Sequence, residues 1–115
     1  MTNQESTAAT LGHHLQVFGE GVEAIMADYT NDSVLITPDA TYRSLAQIHD
    51  FFEAFVRGLP ERLWDAFRLN RQEVVGELAY IVWEARPWVL LGTDTFVVRE
   101  GKIVFQTYAV QPGTE

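Results

Sequence analysis

Two side chains of this sequence stand where chemistry could be done. Asp94 lies in an alternating segment with Leu90, Gly92, Phe96 and Val98 on its own face, so its carboxyl group is expected to point into apolar surroundings. Desolvation there raises a carboxyl pKa and lets the group donate a hydrogen bond or carry a proton near neutral pH. The alternative is a structural carboxylate that accepts bonds from a neighbouring strand or helix end. His14 shares a helical face with Leu11, Leu15 and Phe18, whereas its neighbour His13 points about 100° away. His14 is therefore the histidine that reaches an interior, either as a proton-handling group or as a satisfied core residue. The two adjacent histidines cannot share a metal, and no third ligand has suitable spacing. No metal and no cofactor are implied.

Aromatic side chains crowd the second half of the chain: Trp64, Phe67, Trp83, Trp88, Phe96, Phe105 and Tyr108. Such residues either fill a core or line a cavity that takes a flat apolar molecule. With Tyr29 and Thr37 from the first half, all but Tyr108 are the candidate ligand-binding residues beside Asp94 and His14. Asp32 and Arg43 are more simply a turn residue and a strand-end charge.

Among the elements that hold these residues, Leu11, His14, Leu15, Phe18 and Val22 followed by Ile25, Met26 and Tyr29 predict two helices broken near Gly19 and Gly21. Residues 33–37 form a β-branched strand stopped by Pro38-Asp39, with residues 41–43 returning beside it. Ser44 and Gln47 have capping-box spacing ahead of a third helix whose stripe is Ile48, Phe51, Phe52, Phe55, Val56 and Leu59. Beyond Pro60 the period changes to two, which predicts long strands over about 63–74, 77–86, 88–99 and 102–110. The class is α+β: three N-terminal helices packed on one face of a strongly curved antiparallel sheet, with an apolar pocket between them. Residues 1–10 read as a disordered or helical extension and 11–112 as one domain.

Composition narrows the functions. The chain has 115 residues, 47% of them apolar, which is enough for a core without metal or disulfide support. It has no cysteine, which removes thiolate chemistry and Cys-based metal sites. Sixteen acidic against eight basic residues give a charge of −8, which repels nucleic acid and anionic lipid. The start lacks the pattern of a signal peptide and no apolar run approaches a membrane span, so a cytoplasmic location is expected.

The run from Ala27 to Asp39, then Tyr42-Arg43, and later the run from Gly92 to Val104 resemble SnoaL-like domains of the nuclear transport factor 2 superfamily, with a cystatin-like cone. The likeness spans about residues 11–110. It implies the cone fold, a small-molecule pocket and a homodimer, but not a reaction, because the superfamily holds isomerases, cyclases, dehydratases, epoxide hydrolases and non-catalytic modules. In ketosteroid isomerases of this superfamily an acid sits in the fifth strand, a tyrosine in the first helix and an aspartate base before a proline of the first hairpin. Asp94 resembles the strand acid, Thr37 stands at the base position, and the tyrosine position falls on His13 or His14. Arg86 resembles an arginine of limonene epoxide hydrolases. Trp88 and Thr107 replace the carboxylates which that reaction needs, so epoxide hydrolysis is rejected. What remains is a general acid–base enzyme of isomerase or cyclase type on an apolar carbonyl or polycyclic substrate, with a non-catalytic ligand-binding or dimerisation module as the alternative.

Overall fold

A computed structural model describes residues 2–113. Helix α1 runs from Asn3 to Val17 and is opened by a capping box: Thr2 Oγ1 accepts the Glu5 amide at 3.1 Å, and Glu5 Oε1 accepts the Thr2 amide at 2.9 Å. The stretch before Leu11 is thus helical from Asn3 onward. A 3-10 turn, Phe18–Glu20, leads to Gly21, whose φ of 106° suits a residue without Cβ. That turn separates helix α2, Val22–Met26, from α1.

Strand β1, Tyr29–Ile36, pairs antiparallel with the short β2, Thr41–Arg43. Helix α3, Ser44–Gly58, buries Ile48 and Phe52 and leaves Phe51, Phe55 and Val56 half-buried. The expected Ser44–Gln47 capping box is not formed: Arg43 is the N-cap, and Gln47 Oε1 accepts the Arg43 amide at 2.8 Å from within the first turns. Residues 63–66, expected as the start of a strand, form instead a one-turn helix, α4 (Leu63–Ala66). Its Leu63 is buried and Trp64 half-buried against the core, a packing gain that overrides the local β pattern.

The remaining strands are β3 (Phe67–Val75), β4 (Leu78–Ala85), β5 (Val89–Arg99) and β6 (Lys102–Pro112). Sheet order is β2-β1-β6-β5-β4-β3. All neighbours are antiparallel except β1 and β6, which run parallel. The inner face carries Ala79, Ile81, Trp83 and Ala85 from β4 and Gly92, Asp94, Phe96 and Val98 from β5, all buried.

One irregularity governs the site. Val98 pairs with Ile103 but Val97 pairs with Phe105, so Val104 is an extra residue in β6. Ile103 faces the core, yet beyond the bulge Gln106 faces inward and Phe105 outward. Strict alternation from Ile103 would have placed them the other way round.

Candidate functional site

Between the helices and the inner sheet face lies a cavity of about 80 Å³. Its deep wall is His14 of α1, Phe52 of α3, Ile81 and Trp83 of β4, Asp94 and Phe96 of β5 and Gln106 of β6, all buried. Half-buried rings form the rim, among them Phe18, Phe51, Phe55, Trp64, Phe67 and Tyr108. Of the expected site residues, the fold brings together Asp94, His14, Trp64, Phe67, Trp83 and Phe96.

Four others are placed elsewhere. Phe105 is 47% exposed on the outer face, because the bulge at Val104 turns it away. Trp88 packs against the core from the β4–β5 connection without lining the cavity. Thr37 belongs to the β1–β2 turn, where its Oγ1 accepts the Asp39 and Ala40 amides, both at 3.2 Å. Tyr29 lies behind the cavity wall, with its ring in the core. Arg86 sits outside as well, in an exposed pair with Glu84 at 2.9 Å.

Asp94 is 7% exposed and both of its oxygens are held. Trp83 Nε1 donates to Oδ1 at 2.8 Å, and Gln106 Nε2 donates to Oδ2 at 2.9 Å. Gly92 makes the first bond possible. It pairs with Trp83 across the β4–β5 ladder, and a Cβ on it would lie 2.3 Å from the indole Cε2. With hydrogen alone there, the indole passes close over Gly92 and reaches the carboxyl two residues further on. Burial lifts the Asp94 pKa from the ordinary 3.8 to about 6, against the opposing pull of the Trp83 and Gln106 hydrogen bonds and the His14 charge.

The polar groups continue behind the wall. The Tyr29 hydroxyl donates to Gln106 Oε1 and lies 3.4 Å from His14 Nε2. His14 Nδ1 is 3.0 Å from Asp28 Oδ2, and the other oxygen of Asp28 is 2.7 Å from Nδ1 of His13. Asp28 and His14 are buried, while the His13 side chain is 50% exposed. Burial, then the charges of Asp94 and Asp28, push the Tyr29 phenol well above its ordinary pKa. Burial and Asp94 push that of Tyr108 upward too. Both phenols are thereby kept as proton donors.

Gln106 and Asp28 carry no signal that periodicity could read. Gln106 is hidden by the bulge. Asp28 stands beside Tyr29 in the very run that carries the family resemblance, and that position is the only hint of it in the sequence. Among the described residues no group of three or more His, Cys, Asp or Glu side chains is arranged to hold a metal ion, and no helix is long and apolar enough to cross a membrane.

A curved six-stranded sheet closed by helices over a buried acid defines a nuclear transport factor 2-like fold. Residues 13–106 match the SnoaL-like domain, and the chain belongs to that family. An NTF-2 like protein of unknown function from Burkholderia xenovorans LB400 superposes with a TM-score of 0.77 at 18% identity, covering 98% of this chain and 88% of that one. A ketosteroid isomerase-like protein from Kribbella flavida DSM 17836 gives 0.73 at 18% identity, covering 100% and 84%. A polyketide cyclase-like protein from Sinorhizobium meliloti gives 0.71 at 13% identity, covering 87% and 93%. At such identities the likeness is one of fold. No curated protein matches the sequence.

Proposed function

We propose that this protein is a general acid–base enzyme in which Asp94 moves a proton at a carbon next to the carbonyl group of a small apolar substrate. The observation that carries the reading is Asp94 itself, a buried carboxyl at an aromatic cavity with a pKa of about 6. A group poised there is present in both protonation states near neutral pH, which is what a proton carrier requires. With Thr37 tied into a turn, Asp94 itself takes the proton and returns it. The C–H bond breaks as the Asp94 O–H forms, the electron pair moves to the carbonyl oxygen as an enolate, and return of the proton completes isomerisation or exchange. Tyr108, opposite Asp94 in the ladder and held protonated, is the donor for the enolate oxygen, and His14 helps set the charge of Asp94.

Size narrows the substrate. Pockets for drug-sized ligands span about 300–1,000 Å³, and this one holds about 80 Å³. An acyclic or one-ring carbonyl compound fits with the least rearrangement. A polycyclic one requires the half-buried Phe51, Phe55 and Trp64 to swing outward.

Exchange of carbon-bound hydrogen tests the reading with generic compounds. In deuterium oxide, a panel of small ketones followed by proton NMR is expected to lose its α-hydrogens with wild type and not with Asp94→Asn. Equal exchange by both proteins, or by neither, would overturn the reading. A second reading, ligand binding without turnover, is favoured by the fact that both Asp94 oxygens already have internal donors. Mass spectrometry of ligand retained from a metabolite extract, combined with absence of exchange, would establish it. We also infer a homodimer through the outer sheet face, where Ile36, Leu91 and Phe105 are each more than 40% exposed.

A further inference from the structure

Gln106 touches both Asp94 and the polar groups behind the cavity wall. An amide side chain has two unlike ends: Nε2 donates, Oε1 accepts, and a half-turn exchanges them. The end that faces Asp94 therefore decides which form of the acid is supported. Nε2 inward supports the carboxylate. Oε1 inward supports the carboxylic acid, because it gives the acid proton an acceptor inside the protein.

The amide stands with Nε2 on Asp94 Oδ2 at 2.9 Å and with Oε1 accepting from the Tyr29 hydroxyl. Trp83 Nε1 donates to the other carboxyl oxygen and is indifferent to a turn of Gln106. What opposes the turn is Tyr29. It opens β1 opposite Ile103 of β6, is 4% exposed, and has its ring centroid 5.6 Å from those of both His14 and Phe52. The ring is thereby fixed. Burial first, with the charges of Asp94 and Asp28, keeps the phenol protonated and hence a donor. Its other polar contact, His14 Nε2, lies at 3.4 Å, beyond the usual range, so the hydroxyl proton is best used on Gln106.

We propose that Tyr29 is a positioning residue for Asp94: by donating to Gln106 Oε1 it holds the amide with Nε2 inward, so that Trp83 and Gln106 both donate to Asp94 and the proton the acid carries is offered to the cavity. A protonated carboxyl group can keep both donors, since each oxygen retains a lone pair, and its own O–H then points to the cavity that Asp94 lines. In Asp94→Asn the Nδ2 group has no lone pair to offer, which forces the turn at the expense of the Tyr29 bond. The proposal rests on the role given to Asp94 above and deepens it, because Tyr29 lies behind the wall and acts through Gln106. The ionisable groups around Asp94 and Tyr29 are His14 from α1, Asp28 just before β1 and Tyr108 from β6. From α3 and α4 the cavity receives Phe51, Phe52, Phe55, Leu63 and Trp64, none of which titrates.

A double-mutant cycle read by carboxyl-carbon NMR tests this without a substrate. Tyr29→Phe keeps the ring and removes the hydroxyl, so ionised Asp94 leaves Oε1 buried and unpaired, whereas protonated Asp94 lets the amide turn and use it. The Asp94 midpoint is expected to rise from about 6 by about one pKa unit. Gln106→Met removes the inward donor itself and should raise the midpoint at least as far. In the double variant the midpoint should equal that of Gln106→Met alone, because Tyr29 then has no amide to hold. No shift in Tyr29→Phe, or the same shift with and without Gln106, overturns the proposal. Should Tyr29→Phe not fold, wild type decides: at pH 8 the Gln106 amide protons are expected to show cross-relaxation with the Trp83 indole N–H. Amide protons found instead against the Tyr29 ring mean that Oε1 faces the acid, which also overturns it. None of these readouts depends on turnover: a protein that exchanges ketone hydrogens but whose Asp94 titration ignores Tyr29 retains the enzyme reading and loses the positioning role.

Discussion

Asp94 can be tested by its linkage to stability. Its folded-state pKa of about 6 exceeds the ordinary 3.8, so the folded protein binds this proton more tightly than the unfolded chain does. Stability from this group is therefore full below pH about 3.8, falls as pH rises to about 6, and is flat above. The total loss is about 3 kcal/mol, taking about 1.4 kcal/mol per pKa unit. Asn at this position imitates the protonated acid, with Oδ1 accepting from Trp83 and Nδ2 donating to a turned Gln106. Chemical denaturation should accordingly find Asp94→Asn at least as stable as wild type at pH 8, with a shallower loss between pH 4 and pH 7. A variant clearly weaker than wild type at pH 8 would mean that Asp94 is an ionised structural carboxylate. The residue scale thus separates a group kept for chemistry from one kept for the fold.

At the scale of elements, the site depends on two local departures from regular strands. The bulge at Val104 turns Gln106 to the inner face, and Gly92 lets β4 lay its indole across β5. In Gly92→Ala the new Cβ meets Cε2, Cζ2 and Nε1 of Trp83 at 2.3, 2.6 and 2.7 Å. A rigid indole cannot absorb that, so the ring must leave its place or the strands must part. Overpacking of this kind costs about 1–3 kcal/mol. The loss of the Trp83 bond, which holds the Asp94 pKa down, should move the Asp94 titration further upward. Carboxyl-carbon NMR of the variant checks this. A titration left in place with unchanged stability would show that the indole does not set the acid. Periodicity makes the inner faces of β4 and β5 legible, since Trp83 and Asp94 both follow strict alternation. It does not reveal the bulge, because the extra residue is Val104 in a run of Ile103, Val104 and Phe105 that reads as an unbroken strand. Residues 63–66 read as a strand for a similar reason: Leu63 and Trp64 suit one, and only contact with the core makes a helical turn preferable.

For the whole molecule, the outer sheet face is the surface that the helices leave open. Phe105 of β6 lies beside Val34 and Val97 in the ladder, with Ile36 and Leu91 on the same face. Light scattering at micromolar concentration is expected to give twice the 13.0 kDa chain mass, and Phe105→Glu is expected to return the monomer. A wild-type monomer would set the dimer aside and leave the cavity untouched. By itself the sequence determined the helical and β-period segments, the curved α+β arrangement they build, and the inward direction of Asp94 and His14, because these follow from local spacing and from burial of apolar faces. The family resemblance rested on the same stretches. Tertiary structure alone decided which aromatics enclose the cavity and which meet solvent, since Phe105 and Phe96 have the same local pattern and are separated by a bulge. It also decided that Asp28, Tyr29 and Gln106 join His14 to Asp94. Those residues lie on α1, the turn before β1, β1, β5 and β6, and hydrogen bonds between groups as far apart as Tyr29 and Gln106 form only after the parallel pairing of β1 and β6 has brought the two segments together.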